Sequence, residues 1–291
     1  MRTRQDKDKS LDSAFQSENN MQDLPHISVI TPSFNQGKYI ERTIKSVLEQ
    51  GYPNLEHIII DGGSTDGTAE IVKRYEKHLV WICERDNGQS DAINKGIRMA
   101  TGDIICYLNT DDKFEPGALK TVGNILAQDP SVMWLSGRCR IIDEHDREIR
   151  RVISEYKNFL LDHYSYRLLL ITNLISQPST FWRRQIVEEL GLFDESEHLA
   201  MDYEYWLRIG KRYSPKTVNR CLSSFRIHQS SKSAGSFLKM PRHELLIARK
   251  YSKSNLLNIM HLLNYYGVCG LYSLLAVFSR IRSNFDYSGT K

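Results

Sequence analysis

Residues 102–112 read Gly-Asp-Ile-Ile-Cys-Tyr-Leu-Asn-Thr-Asp-Asp, an apolar run that ends in polar and acidic residues. The run predicts a buried strand that is followed by Asn109, Asp111 and Asp112. Two adjacent carboxylates at the end of a buried strand repel each other unless a positive charge lies beside them. A divalent cation that also carries a phosphate group would supply that charge. An acidic turn is the alternative that this stretch leaves open.

The segments on either side alternate between apolar strands and helices. Strands are predicted at 27–31, 55–60, 79–83 and 104–108, and helices at 39–50, 64–76 and 90–99. The alternation predicts an α/β fold with a Rossmann-like, mainly parallel sheet flanked by helices. In such a sheet, ligands bind beyond the carboxyl ends of the strands.

Polar residues follow three of these strands and should therefore meet at one edge of the sheet. They are Pro32-Ser33-Phe34-Asn35, Asp61-Gly62-Gly63-Ser64 and Asn109-Thr110-Asp111-Asp112. Together they supply an aromatic face for a base, a carboxylate for a ribose or base, and carboxylates for a metal ion. A nucleoside diphosphate requires this combination of groups.

Composition limits the other possibilities. The chain has 291 residues, enough for one large domain with an appendage. Its five scattered cysteines include no Cys-x-x-Cys pair, and its first residues include no apolar signal segment, which predicts a cytoplasmic protein with reduced thiols. Residues 239–291 hold eight Lys and Arg against two acids, so the rest of the chain is slightly acidic. A nucleic-acid partner is therefore not expected.

The motifs resemble, in the same order, those of the inverting family 2 glycosyltransferases, which have the GT-A fold. The matching motifs are ITPSFN (30–35), IDGGSTDGT (60–68), DAINKG (91–96), TGD through LNTDD (101–112), QPSTFWR (177–183), GLFDE (191–195), MDYEYWLR (201–208) and RIH (226–228). The resemblance covers roughly residues 26–232. It implies a nucleotide-sugar half followed by an acceptor half on the same sheet.

We accordingly expect three regions in the chain. They are a flexible polar tail over 1–24, a GT-A domain over 25–238 with halves at 25–112 and 113–238, and a basic and apolar helical extension over 239–291.

The resemblance implies a divalent metal, Mn or Mg, at the diphosphate. Asp111 and Asp112 match the metal-binding DxD-type motif, and His228 either completes the metal site or contacts the diphosphate, with a structural histidine as the alternative. Asn109 replaces an aspartate at the first motif position. It is expected to hydrogen-bond ribose or to orient Asp111, or else it is a turn residue.

Asp202 falls where the family has its catalytic base. Apolar neighbours such as Met201 and Trp206 would raise its pKa towards neutrality, which suits a base. An N-cap aspartate is the alternative, because Asp is favoured at that position. Glu204 is a weaker candidate base.

The donor nucleotide is expected to contact Pro32, Phe34, Asn35 and Asp61, with Phe34 stacked on uracil. A buried aromatic residue is the alternative for Phe34. Lys95 either neutralises the diphosphate or is an exposed helix lysine. Many family members have two adjacent aspartates where this chain has Asp61-Gly62, so this chain lacks the second carboxylate of the base-binding segment.

On the acceptor side, residues 159–175 are expected to cover the acceptor. Trp182 and Trp206 are candidates for stacking on a sugar, with core packing as the alternative. Residues 254–279 carry no formal charge and lie between basic flanks. Three interpretations remain open for this segment: a helix at the membrane surface, extending over 254–282, a helix packed on the domain, or a membrane span.

The expected function is metal-dependent transfer of a sugar from a nucleotide-sugar, a UDP-sugar first of all, to a glycan or lipid-linked glycan in cell-surface polysaccharide synthesis. A catalytically inactive nucleotide-sugar-binding or scaffold protein is one alternative. A nucleotidyltransferase is another, but residues 31–37 lack the Gly-rich basic loop that its chemistry needs.

Overall fold

A computed structural model of the chain describes residues 24–229, 231 and 239–270. The predicted tail lies outside these residues except for Leu24, and so does the last part of the predicted C-terminal extension, residues 271–291.

Eight strands in the described part of the chain form one mixed sheet. They are β1 (Ile27–Ser33), β2 (Leu55–Asp61), β3 (Val80–Cys83), β4 (Ile104–Tyr107), β5 (Lys113–Phe114), β6 (Trp134–Ile142), β7 (Thr180–Arg183) and β8 (Lys216–Arg226). Their order across the sheet is β3-β2-β1-β4-β7-β6-β8-β5. The strands β1 to β4 pair in parallel, and β7 then pairs antiparallel with both β4 and β6. The predicted α/β class with a mainly parallel sheet is confirmed.

Helices cover the faces of the sheet. They are α1 (Ile40–Leu48), α2 (Thr68–Lys73), α3 (Gln89–Met99), α4 (Ala118–Gln128), α5 (Arg151–Asp162), α6 (Tyr166–Leu169), α7 (Arg184–Leu190), α8 (Met201–Gly210), α9 (Met240–Tyr251) and α10 (255–270). A 3-10 turn spans Gln177–Ser179.

Strand β1 continues through Pro32, where the sequence pattern predicted that it would stop. Pro32 pairs with Ile60, and Ser33 pairs with Asp61. Proline lacks the N–H of a ladder residue, but in a parallel strand alternate residues face the same neighbour. The Ile30 carbonyl accepts the N–H of Leu108, just after β4, so the backbone nitrogen of Pro32, two residues later, also points towards β4. The pairing of β1 with β4 has already ended at Ile30 and Tyr107. No ladder hydrogen bond is therefore lost at this proline.

Close packing brings α3 against β1. A Cβ atom at Gly96 would lie 2.4 Å from Cγ2 of Ile30, so only glycine lets the helix approach this closely. The first turn of α3 is thereby held near the end of β1, where the predicted nucleotide site lies.

A hydrophobic core that is rich in aromatic residues is formed mainly by residues of β4, β6, β7 and α8. Trp134, Trp182 and Trp206 are fully buried there, and the rings of Trp134 and Trp206 stack with centroids 5.9 Å apart. The idea that Trp182 and Trp206 stack on an acceptor sugar is therefore wrong, because neither ring has an exposed face.

The C-terminal helices rest on the same core. In α9, Ile247 and Ala248 are buried beside α8. In α10, His261 is buried and its Nδ1 lies 2.8 Å from the Leu170 carbonyl oxygen. Among the residues that the structure describes, no helix combines the length and the apolar character needed to cross a bilayer.

Candidate active site

A cleft with a volume of about 1200 Å³ opens beyond the carboxyl ends of β1 and β4. Phe34 and Asp111 line it on the side of the early strands, and Asp202 lines it from α8. Residues of α5, α9 and α10 complete the wall around Asp202. Residues after β1 and β4 thus meet at this cleft, as predicted, together with Asp202, whereas residues 61–64 after β2 do not line it.

Asp111 and His228 form a pair at the edge of this cleft. The Nε2 atom of His228 lies 3.0 Å from Oδ2 of Asp111, and the imidazole packs on Tyr39 with ring centroids 4.5 Å apart. His228 follows β8, whereas Asp111 follows β4, so the pair joins the two halves of the sheet. A carboxylate and an imidazole in contact form two of the ligands that a divalent cation can use.

Asp112 turns away from the cleft and is fully buried. Its Oδ1 accepts the backbone N–H of Arg226 at 2.8 Å, and its Oδ2 lies 3.3 Å from the Asn109 amide nitrogen. Burial and the neighbouring Asp111 raise the pKa of Asp112 well above the usual range. The expected repulsion between the two carboxylates is therefore relieved by turning one of them inward, and Asp112 does not reach a cation bound in the cleft in this arrangement.

Arg226 lies beneath the Asp111–Asp112 turn and is almost fully buried. Its Nε donates to the Asp111 carbonyl at 2.7 Å and its Nη1 to the Asp143 carbonyl at 2.7 Å. Its Nη2 forms an ion pair with Asp146 at 2.5 Å. Arg226 is thus a support of the turn and not a group that faces the cleft.

Two glutamines hold Asn109. The side-chain amide of Gln89 donates to Asn109 Oδ1 at 2.7 Å, and Asn109 Nδ2 lies 3.1 Å from Gln177 Oε1. Gln177 also donates to the Tyr107 carbonyl at 2.6 Å. Asn109 therefore orients Asp112 through this network. The sequence analysis had instead expected Asn109 to orient Asp111.

Phe34 is 60% exposed at the cleft, which excludes the buried-aromatic interpretation. Pro32 lines the cleft beside it, and its carbonyl accepts the hydroxyl of Thr110. Asn35 has φ of 51° and uses its polar groups to hold the loop after β2, since its N–H donates to Ser64 Oγ and its Oδ1 accepts from Thr65. Asn35 thus supports the Phe34 turn in this structure.

Asp61 is fully buried at the end of β2. Its Oδ1 accepts the backbone N–H groups of Gly63 and Ser64, and its Oδ2 has no hydrogen-bond partner within the described part of the chain. At Gly62, an added Cβ would lie 2.5 Å from Oδ2 of Asp86, a residue that lines the cleft. The carboxylate of Asp86 therefore occupies the space beside Gly62, where many family members carry a second aspartate.

Lys95 is not brought to the cleft. Its Nζ lies 2.9 Å from Glu84, 3.5 Å from Asp91 and 3.1 Å from the Arg85 carbonyl oxygen. These partners fix the ammonium group on the outer face of α3, so in this structure Lys95 does not approach a diphosphate held at Asp111.

Asp202 lies in the first turn of α8, where Ala200 is the N-cap. The N-cap alternative is therefore wrong, although Asp202 Oδ1 accepts the backbone N–H of Tyr203 at 2.8 Å. Glu204 is buried and bound to Arg208, with 2.6 Å between Oε2 and Nη2, and to the hydroxyl of Tyr251. Only Asp202 of these two carboxylates lines the cleft.

Four cleft or support residues were missed by the sequence interpretation, namely Gln89, Asp86, Asn173 and Glu244. Gln177 was noted within a motif but had no assigned role. The amide network around Asn109 gave no separate signal, because glutamines are common in helices and turns. Glu244 comes from α9, far along the chain, and only tertiary packing brings it to the cleft.

The model of the family described as "Glycosyl transferase family 2" matches residues 28–191. The chain is similar to TuaG of Bacillus subtilis (strain 168), a "putative teichuronic acid biosynthesis glycosyltransferase", with 44% identity over 33% of this chain and 40% of that protein. It is 31% identical to the uncharacterized glycosyltransferase Rv1514c of Mycobacterium tuberculosis over 70% of this chain and 76% of that protein.

Two solved structures resemble the fold. The mannosyltransferase PcManGT from Pyrobaculum calidifontis, in complex with GDP-Man and Mn2+, has a TM-score of 0.63 at 21% identity and covers 89% of this chain and 80% of its own. TarS 1-349 of S. aureus, in complex with UDP-GlcNAc, has a TM-score of 0.62 at 16% identity and covers 84% of this chain and 72% of its own. At these identities the likeness concerns the fold alone.

Proposed function

Given that the chain belongs to glycosyl transferase family 2, and is therefore a glycosyltransferase, we propose that it transfers a sugar from a UDP-sugar to a hydroxyl group of a glycan or lipid-linked glycan in cell-surface polysaccharide synthesis. One observation carries the proposal: Phe34, Asp111 and Asp202 line the same cleft. The name of TuaG refers to teichuronic acid biosynthesis and favours a cell-surface product, and the UDP-GlcNAc bound to TarS favours a UDP-sugar.

The donor is expected to lie along the ends of β1 and β4. Phe34 offers an exposed ring for the base, and Asp111 lies where the diphosphate would sit. Asp86 lines the cleft with its Oδ2 in the space beside Gly62, and Asp61, the residue before Gly62, has a buried Oδ2 without a hydrogen-bond partner among the described residues. Both carboxylates are suited to accept hydrogen bonds from base or ribose. A donor in this orientation would point its sugar towards α8.

Asp111 and His228 would hold the divalent cation, Mn or Mg. Among the described residues, no three His, Cys, Asp or Glu side chains converge on one point. Two protein ligands fit these cations, which usually keep several waters and share substrate phosphates. When bound there, the cation stabilises the negative charge of the departing diphosphate as a Lewis acid.

Asp202 would act as the base. The acceptor oxygen attacks the anomeric carbon, its proton passes to the Asp202 carboxylate, and the bond from that carbon to the phosphate oxygen breaks with its electron pair leaving on the diphosphate. Attack from the side opposite the diphosphate inverts the anomeric centre. The presence of Asp202 and Asp111 in the same cleft, on α8 and after β4, supports this arrangement.

Donor binding tests the proposal. Addition of a UDP-sugar with Mn2+ is expected to raise the melting temperature of the full chain, because a ligand that binds only the folded state stabilises it. Phe34→Ala should weaken this binding about 5- to 150-fold, since stacking of a base on an aromatic ring contributes about 1–3 kcal/mol. Titration with isothermal calorimetry would measure the loss.

Phe159→Ala is the matched control, because Phe159 is 57% exposed on α5 and does not line the cleft. It should bind the donor as the wild type does. Equal loss of binding in both variants, or no stabilisation by any of a panel of UDP- and GDP-sugars, would contradict the proposed donor site.

We further propose that α10 lies on the inner face of the cell membrane. Its polar residues His261 and Asn264 face inward, the first buried and the second at the cleft. Large apolar side chains instead point outward, at 41–66% exposure, and are Leu256, Ile259, Met260, Leu263 and Tyr266. Exposed Arg249 and Lys253 lie just before this helix. An outward apolar row beside basic residues suits an anionic lipid surface.

Vesicle sedimentation tests this placement. The full chain should bind phosphatidylglycerol vesicles and bind phosphatidylcholine vesicles more weakly. The double variant Leu256→Glu/Leu263→Glu should lose most of this binding, because a charge on the contact face opposes insertion.

The control variant is Val80→Glu/Met99→Glu, at two exposed apolar positions outside α10. Equal sedimentation of the two double variants would reject the membrane placement. If the wild type dimerises and only the α10 variant loses dimerisation, the outward apolar side chains of α10 contact a second copy of the chain and not a membrane.

A further inference from the structure

We infer that Glu244 and Asn173 bind a second hydroxyl group of the acceptor beside Asp202, so that the reacting group belongs to a neutral sugar or polyol and not to a phosphate. The inference deepens the proposed function and rests on it, because it takes Asp202 as the base. Glu244 lies beyond residues 28–191, the segment that the family model matches.

Glu244 lies in α9, which packs against α8, and lines the same cleft as Asp202. Asn173 lines the cleft as well, and its Nδ2 donates to Glu244 Oε1 at 3.1 Å. The Oδ1 of Asn173 is buried and accepts no hydrogen bond from the described residues. A buried acceptor without a donor costs free energy until a ligand supplies one. The Asn173 amide is therefore fixed by the hydrogen bond from Nδ2 to Glu244, and its Oδ1 can accept a hydrogen bond from a hydroxyl group of a ligand.

The charges around this pair favour a neutral ligand. Burial and the nearby charge of Asp202 raise the pKa of Glu244 to about 7. Near neutral pH the Glu244 carboxyl group can thus either accept a hydrogen bond from a hydroxyl group or donate one to it. The other ionisable groups that influence it are Lys157 of α5 and the phenol of Tyr203.

An anionic acceptor would be repelled by the carboxyl groups beside this pair. A phosphate brought to this wall would lose water and face the carboxyl groups of Asp202 and Glu244, whereas the cations that line the cleft, Arg150 and Lys157, come from α5 and the residue before it. A sugar hydroxyl can instead donate to Asn173 Oδ1 or to a carboxylate without any charge to neutralise. Two hydroxyl groups, one held by Asn173 and Glu244 and one presented to Asp202, would fix the attacking oxygen.

The test uses the full chain, the donor that binds it, and defined acceptor probes. These are the methyl glycosides of glucose, galactose, N-acetylglucosamine and rhamnose, together with ribitol and farnesyl phosphate. Transfer is expected to at least one neutral probe and not to farnesyl phosphate. Asn173→Ala and Glu244→Ala should raise the KM for that probe about tenfold or more, the effect of about 1.4 kcal/mol of lost binding, with the Kd of the donor unchanged.

Glu155→Ala is the matched control, because Glu155 is an exposed carboxylate of α5 that does not line the cleft. Melting temperatures, and the shape-conserving variant Glu244→Gln, separate lost binding from lost folding. The inference is overturned if farnesyl phosphate is the only acceptor, if no neutral probe accepts the sugar, or if the Glu244 and Asn173 variants keep the acceptor KM while Asp202→Asn abolishes transfer. Unchanged transfer by Asp202→Asn would instead remove the proposed base itself.

Discussion

Asp202→Asn is expected to lower kcat for sugar transfer about 10²- to 10⁴-fold, the usual contribution of a general base. The amide keeps the shape of the carboxylate but cannot take the proton of the acceptor hydroxyl. It can still accept the Tyr203 N–H through its carbonyl oxygen, so the first turn of α8 should be preserved. Donor binding should stay within about twofold, because Phe34 and Asp111 follow β1 and β4, whereas Asp202 belongs to α8. Single-turnover transfer with saturating donor would measure the change.

Asp194→Asn is the control for this variant. Asp194 is an exposed carboxylate in the loop before α8, where its Oδ1 accepts from Ser196. It should transfer at the wild-type rate. A kcat for Asp202→Asn within about threefold of the control would exclude Asp202 as the base, since a lost proton acceptor costs far more than that.

Arg226→Met is expected to destabilise the protein by about 2–3 kcal/mol, because a carbonyl inside the protein that loses its donor costs about 1–3 kcal/mol, whereas Asp146 is 35% exposed and loses less. The Asp111 and Asp143 carbonyls would each lose a donor, and Asp146 would lose its closest cation. Activity should fall as well, because the turn that carries Asp111 loses its support. Urea unfolding should show a lower midpoint with an unchanged slope.

Arg42→Met provides the comparison. Arg42 also pairs with Asp146, at 3.8 Å, but its side chain is 45% exposed. Exposed pairs contribute about 1 kcal/mol or less, so the midpoint should hardly move. Equal shifts in the two variants would mean that the burial of Arg226 does not determine its contribution.

The order of the early strands and the meeting of their ends at one edge of the sheet could be predicted from the sequence, because strand periodicity and strand ends are local properties. The apolar run before Asn109 and the polar residues after β1 and β2 indicated which side chains meet at the sheet edge. The α/β class followed from the same alternation. Pro32 was misjudged only because the register against β4, which decides whether its missing N–H matters, depends on where another strand ends.

Orientation could not be predicted in the same way. Asp111 and Asp112 are adjacent and chemically identical, yet one lines the cleft and the other is buried against the backbone of Arg226. Likewise Asp202 and Glu204 are two residues apart in α8, and a helix turns such neighbours to different sides. Glu244 shows the same limit over a longer range, since no local pattern relates α9 to Asp202.

The sheet runs without a break from β3 to β5, and its site pairs Asp111 after β4 with His228 after β8. A boundary between residues 112 and 113 would therefore separate Asp111 from His228, but it would not separate two folding units, because one sheet spans both halves. Whatever bridges Asp111 and His228 binds only when both strands are in place, so its binding free energy is added to the stability of the whole sheet. Unfolding should therefore be cooperative. The protein with bound donor should unfold in one transition, at a higher melting temperature than the protein without donor, and neither half should unfold before the other.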